Sequence, residues 1–190
     1  MKFAREPIYF VSSNKHKIGE IRAIAHEFGI KIIPRSMELK EEGNKLEQIA
    51  KFKADYAWSK IRKPLFVEDT GVYFNAYDNF PGHTAKRTFY SLGLKGLMRL
   101  VKSVKNRRAV FKTVICFKPS KNKSKIFSGE LHGTLLTKFS GLKKDVLPYE
   151  KMFVPNGFSK ALALIDRKDK NEFSHRALAS RKFFRWMKKQ

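Results

Sequence analysis

The sequence predicts an α/β protein in which helices flank a mixed β-sheet and fall into two lobes. Three observations carry that expectation. The first third alternates strand-like and helix-like segments, as parallel strand–helix–strand units do. The middle holds two long strand-like runs on either side of a polar turn, the mark of an antiparallel pair. The end is an amphipathic stretch behind a serine, which reads as a capped helix.

Taken in order, "PIYFVS" (7–12) is rich in strand formers, and Ser12 and Ser13 can cap the helix after it. Ile18, Ile21, Ala25 and Phe28 then recur at helical spacing, with Gly29 as a stop. "IKIIP" (30–34) reads as a second strand. Asn44 with Glu47 resembles a capping box that opens a helix carrying Leu46, Ile49, Ala50, Ala54 and Ala57. "PLFVED" (64–69) is a third strand that stops on two acids, and "GLKGLMRLVKSV" (93–104) is a short helix. "RAVFKTVICFK" and "SKIFSGELHGTLLTKF" pair around the polar turn 119–125, and "SHRALASRKFFRWMKK" is the final helix, capped by Ser174. No linker is long enough to separate independent domains, so residues 1–190 read as one unit.

Composition narrows the function classes. Apolar residues make up 42% of the chain, enough for a core. No run is long and apolar enough for a transmembrane helix, and the N-terminus lacks the form of a secretory leader. Cys116 is the single cysteine, which excludes an internal disulfide and a cysteine-rich zinc site. A cytoplasmic location is expected. Lys plus Arg is 41 against 17 acids, a net charge of +24. The positive residues are dispersed, so a generally basic surface is expected, with any nucleic-acid binding weak, salt-dependent and non-specific.

Three short stretches carry chemistry. In "VSSNKHKIGE" a polar turn opens a helix whose free N–H groups and dipole favour an anion, within reach of Asn14 and Lys17. Glu68 and Asp69 follow a buried strand; one is expected to face solvent and the other a cleft, where a carboxylate beside a phosphate suits Mg²⁺. In "DKNEFSHR", Lys170, His175 and Arg176 gather around one helix start. Alone, each stretch reads more readily as ordinary capping or solvated charge.

Together and in order, "SSNKHKIGEI", "VEDTGV", "FPG" and "KNEFSHRALA" resemble the inosine triphosphate pyrophosphatase family, which removes non-standard purine nucleoside triphosphates. The family's Ser-x-Asn-x-x-Lys-x-x-Glu falls on Ser12, Asn14, Lys17 and Glu20. Its Glu-Asp-Thr/Ser-Gly falls on Glu68, Asp69, Thr70 and Gly71, and its Lys-Asn-x-x-Ser-His-Arg on Lys170, Asn171, Ser174, His175 and Arg176. The resemblance implies a long mixed sheet, two lobes around a deep central cleft, and a homodimer. It implies Mg²⁺-dependent hydrolysis of ITP, dITP or XTP to the monophosphate and pyrophosphate. By the same resemblance Glu41 and Asp69 hold the metal, and Asp69 alternatively activates the water. Ser12, Asn14, Lys17, Lys53 and Lys86 hold the triphosphate, with Lys17 and Lys53 also catalytic. Tyr149, Glu150, Lys170, His175 and Arg176 contact the nucleoside, the last two at the purine 6-keto edge.

One stretch departs from the family. Where Gly-Phe-Gly-aromatic-Asp-Pro is usual, this chain has "DVLPYEKMFVPNG". Tyr149 keeps an aromatic, but Leu147 replaces the one that stacks on the base. Pro148 replaces glycine, Glu150 aspartate and Lys151 proline, and Leu164 stands where a glutamate is usual. The phosphate and metal half is complete and the base half is altered. A shifted base preference, or a nucleotide- or nucleic-acid-binding relative with little turnover, are the alternatives.

Overall fold

A computed structural model describes residues 7–190. The strands are β1 Ile8–Val11, β2 Ile32–Arg35, β3 Leu65–Phe74, β4 Pro81–Gly82, β5 Arg108–Ser120, β6 Lys123–Leu135 and β7 Phe153–Pro155. The helices are α1 Lys15–Glu27, α2 Leu46–Ile61, α3 Ala85–Lys102, α4 Arg167–Phe173 and α5 His175–Lys188. One mixed sheet runs β2-β1-β3-β5-β6-β7, with β4 on β3. β1 is parallel to β2 and β3, where helices supply the crossovers; the other pairings are antiparallel.

Alternation along β3 sorts the core. Phe66 faces α1 and α5, stacking on Phe10 with centroids 4.7 Å apart and packing among Ile21, Ile24, Phe183 and Phe184. Leu65 and Val67 face α2, where Ala50, Ala54 and Ala57 let the helix lie close. Further along, Val72 and Phe74 join Phe111, Leu97 and Val101 in a third cluster under α3. The long strands β3, β5 and β6 therefore run through both lobes.

Several boundaries differ from expectation. β3 does not stop at Asp69 but continues to Phe74, because Val72 and Phe74 bury against the second lobe. Gly71 permits the passage: a Cβ there would lie 2.9 Å from the Gly82 carbonyl oxygen. Asn14, not Ser12 or Ser13, caps α1, its Oδ1 accepting from the N–H groups of His16 (3.0 Å) and Lys17 (3.2 Å). The expected capping box at Asn44 and Glu47 does not form. Gln48 accepts from the Asn44 N–H instead, and Glu47 pairs with Lys112 at 2.9 Å. The helix expected at 93–104 begins at Ala85 and bends at Gly93, whose φ is 60°. The hairpin turn is just residues 121–122. Ser174 caps α5 as expected, accepting from the Ala177 N–H at 3.2 Å.

Candidate active site

β1 stays registered with β3 as far as Phe10 and Phe66. Beyond that point β3 continues without it, and a cleft of about 490 Å³ opens past the carboxyl end of β1. Ligands in α/β sheets favour this place. The cleft receives the start of α1, with Ser12, Asn14 and Lys17, and from across it Glu41, Lys53, Asp69 and Lys86. Asn14 spends its carbonyl oxygen on the cap, which leaves its NH₂ group for an anion at the positive end of the helix.

Glu68 and Asp69 point to opposite faces of β3 and Asp69 lines the cleft, as expected, but Glu68 is buried where the sequence suggests a solvent-facing acid. β5 pairs with this stretch and helices cover both faces. The Glu68 side chain is fully buried; Lys17 Nζ lies 2.5 Å from its Oε2 and Arg176 Nε 3.2 Å from its Oε1. The hydroxyls of Thr70 and Thr113 donate to the same Oε1. Arg176 continues the cluster to Glu20 Oε2 at 2.5 Å. Burial opposes ionisation of Glu68, but the charges of Lys17 and Arg176 prevail and hold it well below the ordinary carboxylate range.

On the other face, Lys53 Nζ lies 3.1 Å from Asp69 Oδ2 and 2.6 Å from Glu41 Oε1. Burial raises the Asp69 pKa; Lys17 and Lys53 oppose that rise, while Glu68 and Glu41 add to it. Glu41 is shifted down: burial works against the shift, and its hydrogen bond and charge contact with Lys53 outweigh it. The two carboxylates converge on the Lys53 ammonium, so they already share a position suited to a cation. Their hard oxygen donors fit Mg²⁺, which takes one or two carboxylates and completes its shell with water and substrate oxygens. Among the described residues no cluster of three or more His, Cys, Asp or Glu offers a closed cage.

Residues 8–186 match the model of the Ham1 family. The chain belongs to that family. It is 35% identical over 182 residues to the dITP/XTP pyrophosphatase of Hyperthermus butylicus, covering 95% of this chain and 94% of that protein. It is 32% identical over 182 residues to the dITP/XTP pyrophosphatase of Pyrococcus horikoshii, covering 95% and 96%. A HAM1 protein from Coxiella burnetii shares the fold at a TM-score of 0.85 and 22% identity, covering 97% of this chain and 99% of that one.

Within the Ham1 fold, the residues expected from sequence divide into two groups. Ser12, Asn14, Lys17, Glu41, Lys53, Asp69, Lys86 and Tyr149 line the cleft. Glu150, Lys170, His175 and Arg176 stand behind its wall. Glu150 and Lys170 form a buried ion pair at 2.8 Å. His175 is 2% exposed and packs 5.1 Å from the ring of Phe111. Burial, then the positive charge of Arg176, keeps its imidazole neutral, and neither ring nitrogen has a protein partner. Leu147 and Pro148 line the cleft beside Tyr149, whose hydroxyl donates to the Ala85 carbonyl at 2.8 Å. Thr113 is a member of the site that the motifs do not include. It belongs there through its register opposite Thr70, which no local signal in the sequence reveals. Phe89 and Tyr90 of α3 also line the cleft outside every motif.

Proposed function

We propose that the protein hydrolyses non-standard purine nucleoside triphosphates such as dITP, ITP and XTP to the monophosphate and pyrophosphate, with Mg²⁺. The observation that carries this reading is the meeting of Glu41 and Asp69 at Lys53, across a cleft from Lys17 and the α1 N-terminus. The relatives named dITP/XTP pyrophosphatase support the substrate class.

Lys17, Lys53, Lys86 and the α1 N-terminus position the triphosphate, a substrate of about four negative charges. Glu41 and Asp69 would hold Mg²⁺, which when bound neutralises charge developing on the leaving pyrophosphate. Alternatively Asp69, whose pKa burial raises, takes the proton of the attacking water as the bond between the α- and β-phosphates breaks, leaving Glu41 as the metal's carboxylate. Glu68 fixes Lys17 at the other side of the strand. His175 offers a neutral ring with both nitrogens free to a purine keto edge, and Arg176 offers there only the N–H groups that it does not already donate to Glu68, Glu20 and Thr70. Both are buried, so a base reaches them only after covering residues move. A homodimer in the cytoplasm is part of the same reading, and light scattering tests the dimer.

The altered wall at Leu147 and Pro148 favours one second reading, a shifted base preference. Pyrophosphate release from dITP, XTP, ITP, GTP, ATP and CTP, with Mg²⁺ and with chelator, decides among these readings. The proposal expects dITP and XTP to lead and chelation to abolish release. Equal hydrolysis of ATP or CTP sinks the purine specificity, and ligand-induced stabilisation without product sinks the enzyme reading.

A further inference from the structure

A second cavity, of about 620 Å³, lies between the C-terminal half of α2 and the tip of the β5–β6 hairpin. Its walls carry Lys51, Arg62, Lys118 and Lys121 against one carboxylate, Asp55. That carboxylate is already engaged: Lys51 Nζ lies 2.8 Å from its Oδ2, and Lys118 pairs with its Oδ1. Lys118 is 5% exposed and also donates to the Lys121 carbonyl at 2.8 Å, which pins the hairpin turn beside the cavity. Among the described residues, no carboxylate pairs with Arg62 or Lys121. Both are exposed, so their charges are open to a ligand from solvent.

Arg62 adds a backbone observation. It ends α2 in the left-handed region, φ 51° and ψ 34°, where glycine is the unstrained choice. An arginine in that place holds a guanidinium at the cavity at the expense of backbone strain. The cavity is also separate from the cleft. Lys118 is registered opposite Leu65, and Asp69 opposite Val114. Four residues of strand separate the two positions, about 13 Å. α2 forms a wall of both, presenting Lys53 to the cleft and Lys51 and Asp55 to the cavity.

We propose that this cavity is a second anion site, and that it takes a ligand with several linked phosphoryl groups. A guanidinium fork and several ammonium groups around one space match multiple phosphoryl oxygens better than a single carboxylate. The volume exceeds the needs of one phosphate. Lys123 and Lys125 extend the positive field along the hairpin beyond the cavity. The phosphoryl groups come either from a free polyphosphate or from a nucleic-acid backbone, which share this chemistry.

Trp58 lines the cavity and Trp186 is the chain's other tryptophan, so Trp186→Phe isolates a local fluorescence reporter. Tripolyphosphate and a single-stranded dT oligonucleotide are each titrated at fixed ionic strength, with sodium chloride and sulfate as controls. A saturable Trp58 response is expected. In the double variant Arg62→Gly/Lys121→Ser its apparent Kd rises about tenfold or more, consistent with loss of two charge-assisted contacts, while pyrophosphate release from dITP is unchanged. Tighter binding of tripolyphosphate assigns a free polyphosphate, and tighter binding of the oligonucleotide assigns a backbone. If Trp186→Phe fails to fold, calorimetry on the unmodified chain replaces fluorescence: two tripolyphosphate equivalents are expected, falling to one in the double variant. A response matched by chloride or sulfate, one unchanged by the double variant, or a single equivalent in both proteins overturns the proposal.

Discussion

Glu68 and Asp69 are consecutive, carry the same charge and sit on the same strand, yet their surroundings give them opposite properties. Glu68 faces α1 and α5, where Lys17 and Arg176 both contact it and two threonine hydroxyls donate to its Oε1. Asp69 faces α2 and the cleft, where the lysine in contact with it, Lys53, is shared with Glu41. The first acid is held ionised and the second is pushed toward protonation. The pleat of the strand puts a fully buried, doubly paired acid and the proposed reactive acid one residue apart, and the contrast can be broken from either side.

The largest effect is expected at the buried acid. Glu68→Gln keeps the shape but takes the carboxylate partner from Lys17 and leaves Arg176 with Glu20 alone, in a buried setting. Breaking a buried ion pair from one side typically costs about 3–5 kcal/mol. Urea unfolding should show a loss of that order. A variant as stable as the wild type would mean that Glu20 alone satisfies Arg176 and that the pairing of Glu68 does not stabilise the fold.

Asp69→Asn should do the reverse. It removes the proposed metal ligand or base while keeping the fold, so kcat for dITP should fall by roughly two orders of magnitude or more with no loss of stability in urea. Near-normal turnover in a folded variant would remove Asp69 from the chemistry.

This contrast is half legible in the sequence. The acids, their lysines and the helix start are visible as motifs, because each is a local pattern on a strand or at a cap. The facing of the acids is not, because the sequence alone suggests that β3 ends at Asp69. Its continuation depends on Val72 and Phe74 meeting Phe111 and α3, residues far apart in the chain. Thr113 escapes for a related reason: strand register is a property of pairing and not of one segment. The sequence places the α1 cap one or two residues early because serine and asparagine cap comparably well. The mixed sheet and the C-terminal helix are legible, since long hydrophobic periodicity fixes element type more firmly than element ends.

Acidity should separate the two groups by a smaller margin. The native pKa of Glu68 is below its ordinary value of 4.5. Its stabilisation is therefore full above that value and is lost as pH falls through the native one. Asp69 has a native pKa above 3.8, so its ionised form favours the unfolded chain, and that penalty enters as pH rises through the native value. Unfolding between about pH 3 and pH 7 should show the deficit of Glu68→Gln shrinking on acidification. Below pH 4.5 the slope approaches about 1.4 kcal/mol per pH unit, the value for one proton held by the unfolded chain and not by the native one. Asp69→Asn should gain on the wild type as pH rises. Parallel curves for the two variants would show that their environments do not differ as described.

The smallest effect belongs to the other half of the cleft and asks whether the contrast between a well-furnished phosphate side and a sparse base side is real. Leu147 lines the cleft where the resemblance places an aromatic, and Tyr149 cannot substitute. It is 5% exposed, its hydroxyl is bound to Ala85, and its ring edge packs on Phe74 with centroids 6.1 Å apart. A leucine presents no π-face, and aromatic stacking on a base is worth about 1–3 kcal/mol. Leu147→Phe should restore part of that at the lower end, giving about a three- to tenfold fall in KM for dITP with kcat little changed, because stacking acts on ground and transition states alike. The same variant should leave unfolding by urea almost untouched, since the side chain is only half-buried. An unchanged KM would place the base elsewhere along the cleft, with Phe89 or Tyr90 of α3 as its stacking face, and the sparse side would then be sparse only along the 147–149 wall.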